Sequence, residues 1–241
     1  MSPLVEGAAC FGVDAGADRA SEAGYEVKQV LGDLDSTDSS RWRGITHELA
    51  DQSSSDLAKS LSLLIERGYT EIEVVGADGG STSHFLGSWA ALCEAPPGAA
   101  IRLHHEDSIT HRVHPDDRER EFAVGAEGEF SLFALSPCQS VHLHGARWEL
   151  DGEPMGLSTA GLHNVGTGEP VRIRADGVLV VIVRRDCSLL LYGARQLGVA
   201  REHHGDRPRS RVGLEGDLHD HRERHSQHHP HDSPGPAPEG H

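Results

Sequence analysis

Five aspartates in the first quarter of the chain stand where side chains could do chemistry together. Asp33 and Asp35 are two residues apart in the run GDLDS, residues 32–36, and Asp14, Asp51 and Asp56 lie on either side of them. Acids at i and i+2 direct both carboxylates to one side while the intervening Leu34 packs to the other. Gly32 and Ser36 permit a sharp turn there. Carboxylates crowded on one rim repel one another unless water or a divalent cation lies between them. Any one of the five also reads as an ordinary acidic loop residue or helix cap, and Asp51 reads best that way. For the Asp33/Asp35 pair the metal reading is the stronger.

The elements that must hold these acids follow from apolar patterning. Short apolar runs at residues 9–14, 26–35, 45–51, 71–77 and 100–105 alternate with helical patterns, as in parallel α/β sheets. Residues 53–68 place Leu57, Leu61, Leu64 and Ile65 at helical spacing, with serines before and Gly68 after. Phe85, Leu86, Trp89, Leu92 and Cys93 give a second helical face beyond Gly79 and Gly80. Each acid then falls just after a strand or opens the next helix, on the rim where open parallel sheets bind ligands. Past residue 106 the texture changes to short strands at 130–135, 140–145, 146–150, 170–175 and 177–185, with turn residues between them. The expected architecture is an α/β N-terminal domain with a mostly parallel sheet over residues 1–106, followed by an antiparallel all-β, sandwich-like C-terminal domain over 107–195. The polar, His- and Pro-rich stretch 196–241 is expected to be a disordered tail.

Composition narrows the partners. Lys and Arg total 22 against 38 Asp and Glu, a formal charge of −16, which repels a nucleic-acid backbone. No apolar stretch approaches the length of a bilayer span. The start, MSPLVEGAAC, has neither the basic nor the apolar segment of a secretory signal. The expectation is a cytoplasmic protein with no membrane or nucleic-acid partner. Cys10, Cys93, Cys138 and Cys187 are scattered and form no CxxC pair, as suits reduced thiols. Nine of the 18 histidines fall from His203 onward, a density that can bind Ni, Zn or Cu.

Taken in order, VDAGAD at 13–18, GDLDS intact at 32–36, QSSSD at 52–56 and GGSTSH at 79–84 resemble the thiamine pyrophosphokinases. The second half is similar too, through SLF at 131–133, GARWEL at 145–150 and STAGLHN at 158–164, so the resemblance runs from about residue 9 to 185. It implies a thiamine diphosphokinase that transfers pyrophosphate from ATP to thiamine, giving thiamine diphosphate and AMP, with Mg2+ as cofactor. It also implies a homodimer, with the β domain contributing to a site shared across the interface. By resemblance, Asp33, Asp35 and Asp56 are the catalytic, Mg-binding acids. Asp14, Gly16, Gln52, Lys59, Gly76, Gly79 and Gly80 lie near the nucleotide, and Trp148, Ser158 and Asn164 near thiamine. Taken alone, a Trp in a β domain is more often core than a ligand platform.

The pattern breaks at three positions: Ser53, Ser81 and Ser83 stand where the family has an acid, an Arg and an Asp. An Arg charge is worth about 10³–10⁵ in rate in phosphoryl transfer, so weakened activity is expected. The family also places a strand and helix ahead of the first strand found here, and part of the nucleotide site is expected to be missing. The competing expectation is a non-catalytic member that binds thiamine or its phosphates as a sensor or store.

Overall fold

Four short runs rich in buried apolar side chains, with one polar edge strand, run parallel through the first half of the chain. The computed structural model describes residues 8–34, 40–78, 80–185 and, as backbone, 210–214. The parallel strands are β1 (Ala9–Val13), β2 (Val27–Gly32), β3 (Thr46–Glu48), β4 (Glu71–Val75) and β5 (Ala100–His104). Three helices connect them: α1 (Gly16–Glu22), α2 (Asp56–Glu66) and α3 (Thr82–Glu94). Leu57, Leu61 and Leu64 recur at helical spacing on α2 and are at most 5% exposed, packed with Ala91 and Leu92 of α3 over Phe11, Leu31, Ile72, Val74, Ile101 and Leu103 of the sheet. Truncating one such leucine to alanine costs about 2–5 kcal/mol. On the other face α1 packs through Ala17 with Cys10, Val27, Val30 and Trp42.

The second half is antiparallel: β6 (Ser108–Val113), β7 (Arg120–Phe122), β8 (Ala126–Ala134), β9 (Cys138–His144), β10 (Leu150–Met155), β11 (Asn164–Thr167), β12 (Val171–Ala175) and β13 (Leu179–Arg184). It has its own core, in which Val113, Phe130, Leu132, Val181 and Val183 of one sheet meet Val141, Leu143, Val171 and Ile173 of the other. The α/β and β halves nonetheless share one sheet. β5 pairs antiparallel with β6 through Arg102↔His111 and Leu103↔Thr110, so the ladder continues across residue 106. With a further strand, β14 (Ser210–Leu214), the large sheet has the order β11-β8-β13-β6-β5-β4-β14-β1-β2-β3, and a smaller sheet, β10-β9-β12-β7, covers the antiparallel part. Arg112 of β6, 1% exposed, ties the halves further by donating to the carbonyl oxygens of Ala95, Pro96 and Ala99 beyond α3.

Two expectations are corrected here. Residues 146–149 are a turn rather than a strand, and β10 begins at Leu150. Within the stretch taken as a disordered tail, Ser210–Leu214 forms β14, which lies parallel between β1 and β4 at the middle of the large sheet, with Ala9↔Ser210 and Ser210↔Ile72 in register. A five-residue run set in polar sequence has too little periodicity to be recognised alone. Among the described residues no helix is long and apolar enough to cross a membrane. Among the described residues Cys10, Cys93 and Cys138 form no disulfide, and Cys187 lies outside them.

Candidate active site

The acids converge where the parallel strands end. Asp14 follows β1, Asp33 follows β2 and Asp56 opens α2, and one carboxylate oxygen from each lies within 4.8 Å of the other two. The backbone is bent to bring them there: Asp14 has φ 47° and Leu34 has φ 65°, left-handed conformations that a non-glycine residue adopts at a cost of about 1–3 kcal/mol. Leu34 recovers part of that cost by packing against the cluster around Val30 and Trp42. Gly32 is required in both conformation and space. Its φ is 142°, and a Cβ there would sit 1.8 Å from Asp14 Oδ1.

Burial, then the charges of Asp56 and Asp33, push the Asp14 carboxyl up to about 7. Asp14 Oδ1 is buried without a hydrogen-bond partner among the described residues. An orphaned carboxylate oxygen beside two further carboxylates is a donor set that fits a hard divalent cation. Asp14, expected near the nucleotide, lies beside Asp33 and Asp56, and Asp35 lies outside the described residues.

The segment before α2 holds Asp56 in place. Ser55 caps the helix, its Oγ accepting from Ala58 N at 3.3 Å. Lys59, expected at the nucleotide, instead spends its three donors locally: on Leu49 O at 2.8 Å, on Asp51 O at 2.7 Å, and against Asp56 Oδ1 at 2.7 Å. It anchors the approach to α2 and partly neutralises Asp56. Gln52 reaches Asp33 Oδ2 at 3.5 Å. Asp51 is an ordinary turn residue, accepting from Ser53 N at 2.9 Å and Ser53 Oγ at 2.7 Å. Those two bonds hold its carboxyl below the usual range.

Beyond β4, Gly76 and Gly80 take φ of 80° and 88°, and Gly79 lies outside the described residues. Ser81 then caps α3, accepting from His84 N at 3.3 Å and lying 2.8 Å from Ser83 Oγ. The free N–H groups of this helix start face the same rim as the acids, an arrangement that favours phosphate. Sequence reading missed the neighbouring contact of Asp78 with His105 Nδ1, whose Nε2 lies 2.7 Å from Thr110 Oγ1. Asp78 sits in the GADGG run, but nothing in the sequence pairs it with a histidine from the end of β5. Gly16 is buried at the start of α1.

In the β half, Trp148 lies on the β9–β10 turn and is 57% exposed, with the Arg147 guanidinium 5.6 Å from its ring. It is not core. Asn164, expected to contact a ligand, is 6% exposed and clamps that turn: its Oδ1 accepts from Trp148 N at 3.2 Å and Val165 N at 2.8 Å, and its Nδ2 donates to Trp148 O at 2.8 Å. It positions Trp148. Ser158 is exposed and accepts from Ala160 N at 3.4 Å.

An acidic trio lies at the carboxyl ends of a parallel sheet, joined through one continuous ladder to an antiparallel sandwich, which defines an α/β domain with an appended β domain. Residues 5–103 match the family model for the thiamin pyrophosphokinase catalytic domain. Over that stretch, less than half of the chain, the sequence is similar to the catalytic domain of the thiamine pyrophosphokinases, a family of diphosphotransferases. No curated protein matches the sequence. Among solved structures, the chain is similar to thiamine pyrophosphokinase from Bacillus subtilis, at 23% identity and a TM-score of 0.60, covering 75% of this chain and 89% of that one. Thiamin pyrophosphokinase from Geobacillus thermodenitrificans follows at 19% and 0.59, covering 75% and 88%. The enzyme from Candida albicans gives 12% and 0.56, covering 73% and 89%. At these identities the likeness is one of fold.

Proposed function

We propose that the acid trio is the centre at which ATP gives its pyrophosphoryl group to thiamine. The thiamine hydroxyl oxygen bonds to the β-phosphorus while the bond from that phosphorus to the oxygen retained by the α-phosphate breaks, releasing thiamine diphosphate, AMP and a proton. The observation that carries this reading is the convergence of Asp14, Asp33 and Asp56 within 4.8 Å inside the segment that matches the catalytic domain. A Mg2+ ion bound there would neutralise phosphate oxygens. Asp14 must give up its proton before such binding. Lys59 and Ser55 keep Asp56 aimed at the rim, and the start of α3 offers backbone N–H groups to the triphosphate.

Trp148 supplies an exposed aromatic face for the thiamine pyrimidine, and Asn164 fixes the turn that carries it. Exposed Trp148, Leu157 and Leu162 on the β half support a homodimer in which this face serves the partner's acid trio. Ser81 and Ser83 bring no charge to the transferring group, which supports a reduced rate. The cytoplasm is the proposed location, and residues 1–106 and 107–195 are the proposed functional units. Incubating the protein with thiamine, ATP and Mg2+ should yield AMP and thiamine diphosphate in equal amounts. ADP with thiamine monophosphate, or no product, would contradict the reading.

A further inference from the structure

On the solvent side of the small sheet, well removed in sequence from the acid trio, the fold assembles a different donor set. Val141 and Leu143 of β9 point into the core, so Ser140, His142 and His144 share the opposite face. Asp151 of β10 is paired directly with His142. The register of β10 slips between Asp151 and Glu153, with Gly152 at φ 94° beside the His142 ring, and this bulge sets the angle of Asp151. One ligand atom from each of His142, His144 and Asp151 lies within 4.8 Å of the other two.

We propose that His142, His144 and Asp151 form a surface site for a divalent transition-metal ion of the Zn2+ class, with the fourth position open to water. Two imidazoles and one carboxylate are a donor set for Zn2+, with bonds of about 2.0–2.2 Å, which puts neighbouring donors about 3.4 Å apart in a tetrahedron. His142 Nδ1 and Asp151 Oδ1 stand 3.4 Å apart. The other nitrogen of His142, Nε2, is 3.2 Å from Ser140 Oγ, which can hold the proton there and leave the Nδ1 lone pair for the metal. His144 Nδ1 has Glu149 Oε2 at 3.8 Å, a further carboxylate that lowers the cost of bringing in a dication.

The flanking charges are mixed. On β12, Arg172 lies opposite His144 but its Nε is 3.8 Å from Glu119, away from the site. Arg174 lies opposite His142 and opposes a cation. Binding would staple the irregular edge strand β10 to β9. It would do so independently of the acid trio and of the histidines beyond residue 203.

The test uses the full chain and Zn2+ alone, followed by two-dimensional amide NMR so that each binding region reports separately. The amides of Leu143 and Gly152 should shift and saturate. His142→Ala and His144→Ala should each weaken that response at least about 100-fold, since even supporting residues around a metal contribute about 10–100-fold. Ser140→Ala should weaken it less, and Arg174→Gln should strengthen it. These side chains are outside the core, and unshifted spectra elsewhere in each variant certify its fold. His142→Gln serves in place of any alanine variant that does not fold. The proposal is overturned if Zn2+ leaves the β9 and β10 amides unmoved in the parent protein. It is equally overturned if their response survives unchanged in both histidine variants.

Discussion

Asp14 makes cation binding at the acid trio a titration. Its carboxyl is pushed up to about 7 by burial and by Asp56 and Asp33, so near neutral pH it is partly protonated, and a bound Mg2+ must displace that proton. The fraction ready to bind rises about tenfold between about pH 6 and about pH 8, equivalent to about 1.4 kcal/mol, with about half a proton released per ion near pH 7. Calorimetry with Mg2+ alone, in two buffers of different ionisation enthalpy, measures both quantities. Mg2+ is chosen because it prefers oxygen donors to the imidazoles elsewhere in the chain. Asp14→Asn should bind Mg2+ more weakly and lose most of the pH dependence. The stability sign follows from the same shift: an acid raised in the folded state favours folding while protonated. The metal-free protein should therefore lose stability as pH rises from about 4 to about 7, and Mg2+ should restore it. Mg2+ affinity that is flat with pH in the parent, or an equal slope in Asp14→Asn, refutes the role given to Asp14.

Gly32→Ala should fold less stably by about 1–3 kcal/mol, because of its φ of 142° and the Cβ clash with Asp14 Oδ1, and should lose Mg2+ affinity as well; denaturant titration with and without Mg2+ separates the two. A chain ended after residue 205 should melt well below one ended after residue 214, because only the longer retains β14 between β1 and β4; equal melting temperatures would dismiss that pairing. Ser81→Arg with Ser83→Asp should raise kcat more than ATP affinity, since the added charge acts on the transferring group. The same double variant should lose about 1 kcal/mol of stability with the Ser81 cap, and a gain confined to KM would place the contact in ground-state binding.

Much of this arrangement is legible in the sequence. Leu57, Leu61 and Leu64 mark α2 by spacing alone, and the apolar runs of β1, β2, β4 and β5 each stop at the rim where Asp14, Asp33 and the glycine turn stand. What stays hidden depends on long-range geometry. Asp14 joins the trio because Gly32, eighteen residues on, leaves room for its carboxylate. Lys59 is expected near the nucleotide by resemblance, yet its ammonium donates to the carbonyl oxygens of Leu49 and Asp51 where the chain turns into α2. Asn164 appears beside Trp148 only after β11 returns along β8, and then it serves the backbone. The β14 pairing is the extreme case. Its partners are set by tertiary placement, and local propensity in five residues says nothing about them.

The most direct test of the acid trio as the reaction centre is thiamine diphosphate formation by the parent and by Asp33→Asn, with thiamine binding measured in both. The account predicts product from the parent, and a rate lower by on the order of 100-fold or more in Asp33→Asn while thiamine affinity is preserved. Equal rates in the two proteins would contradict it.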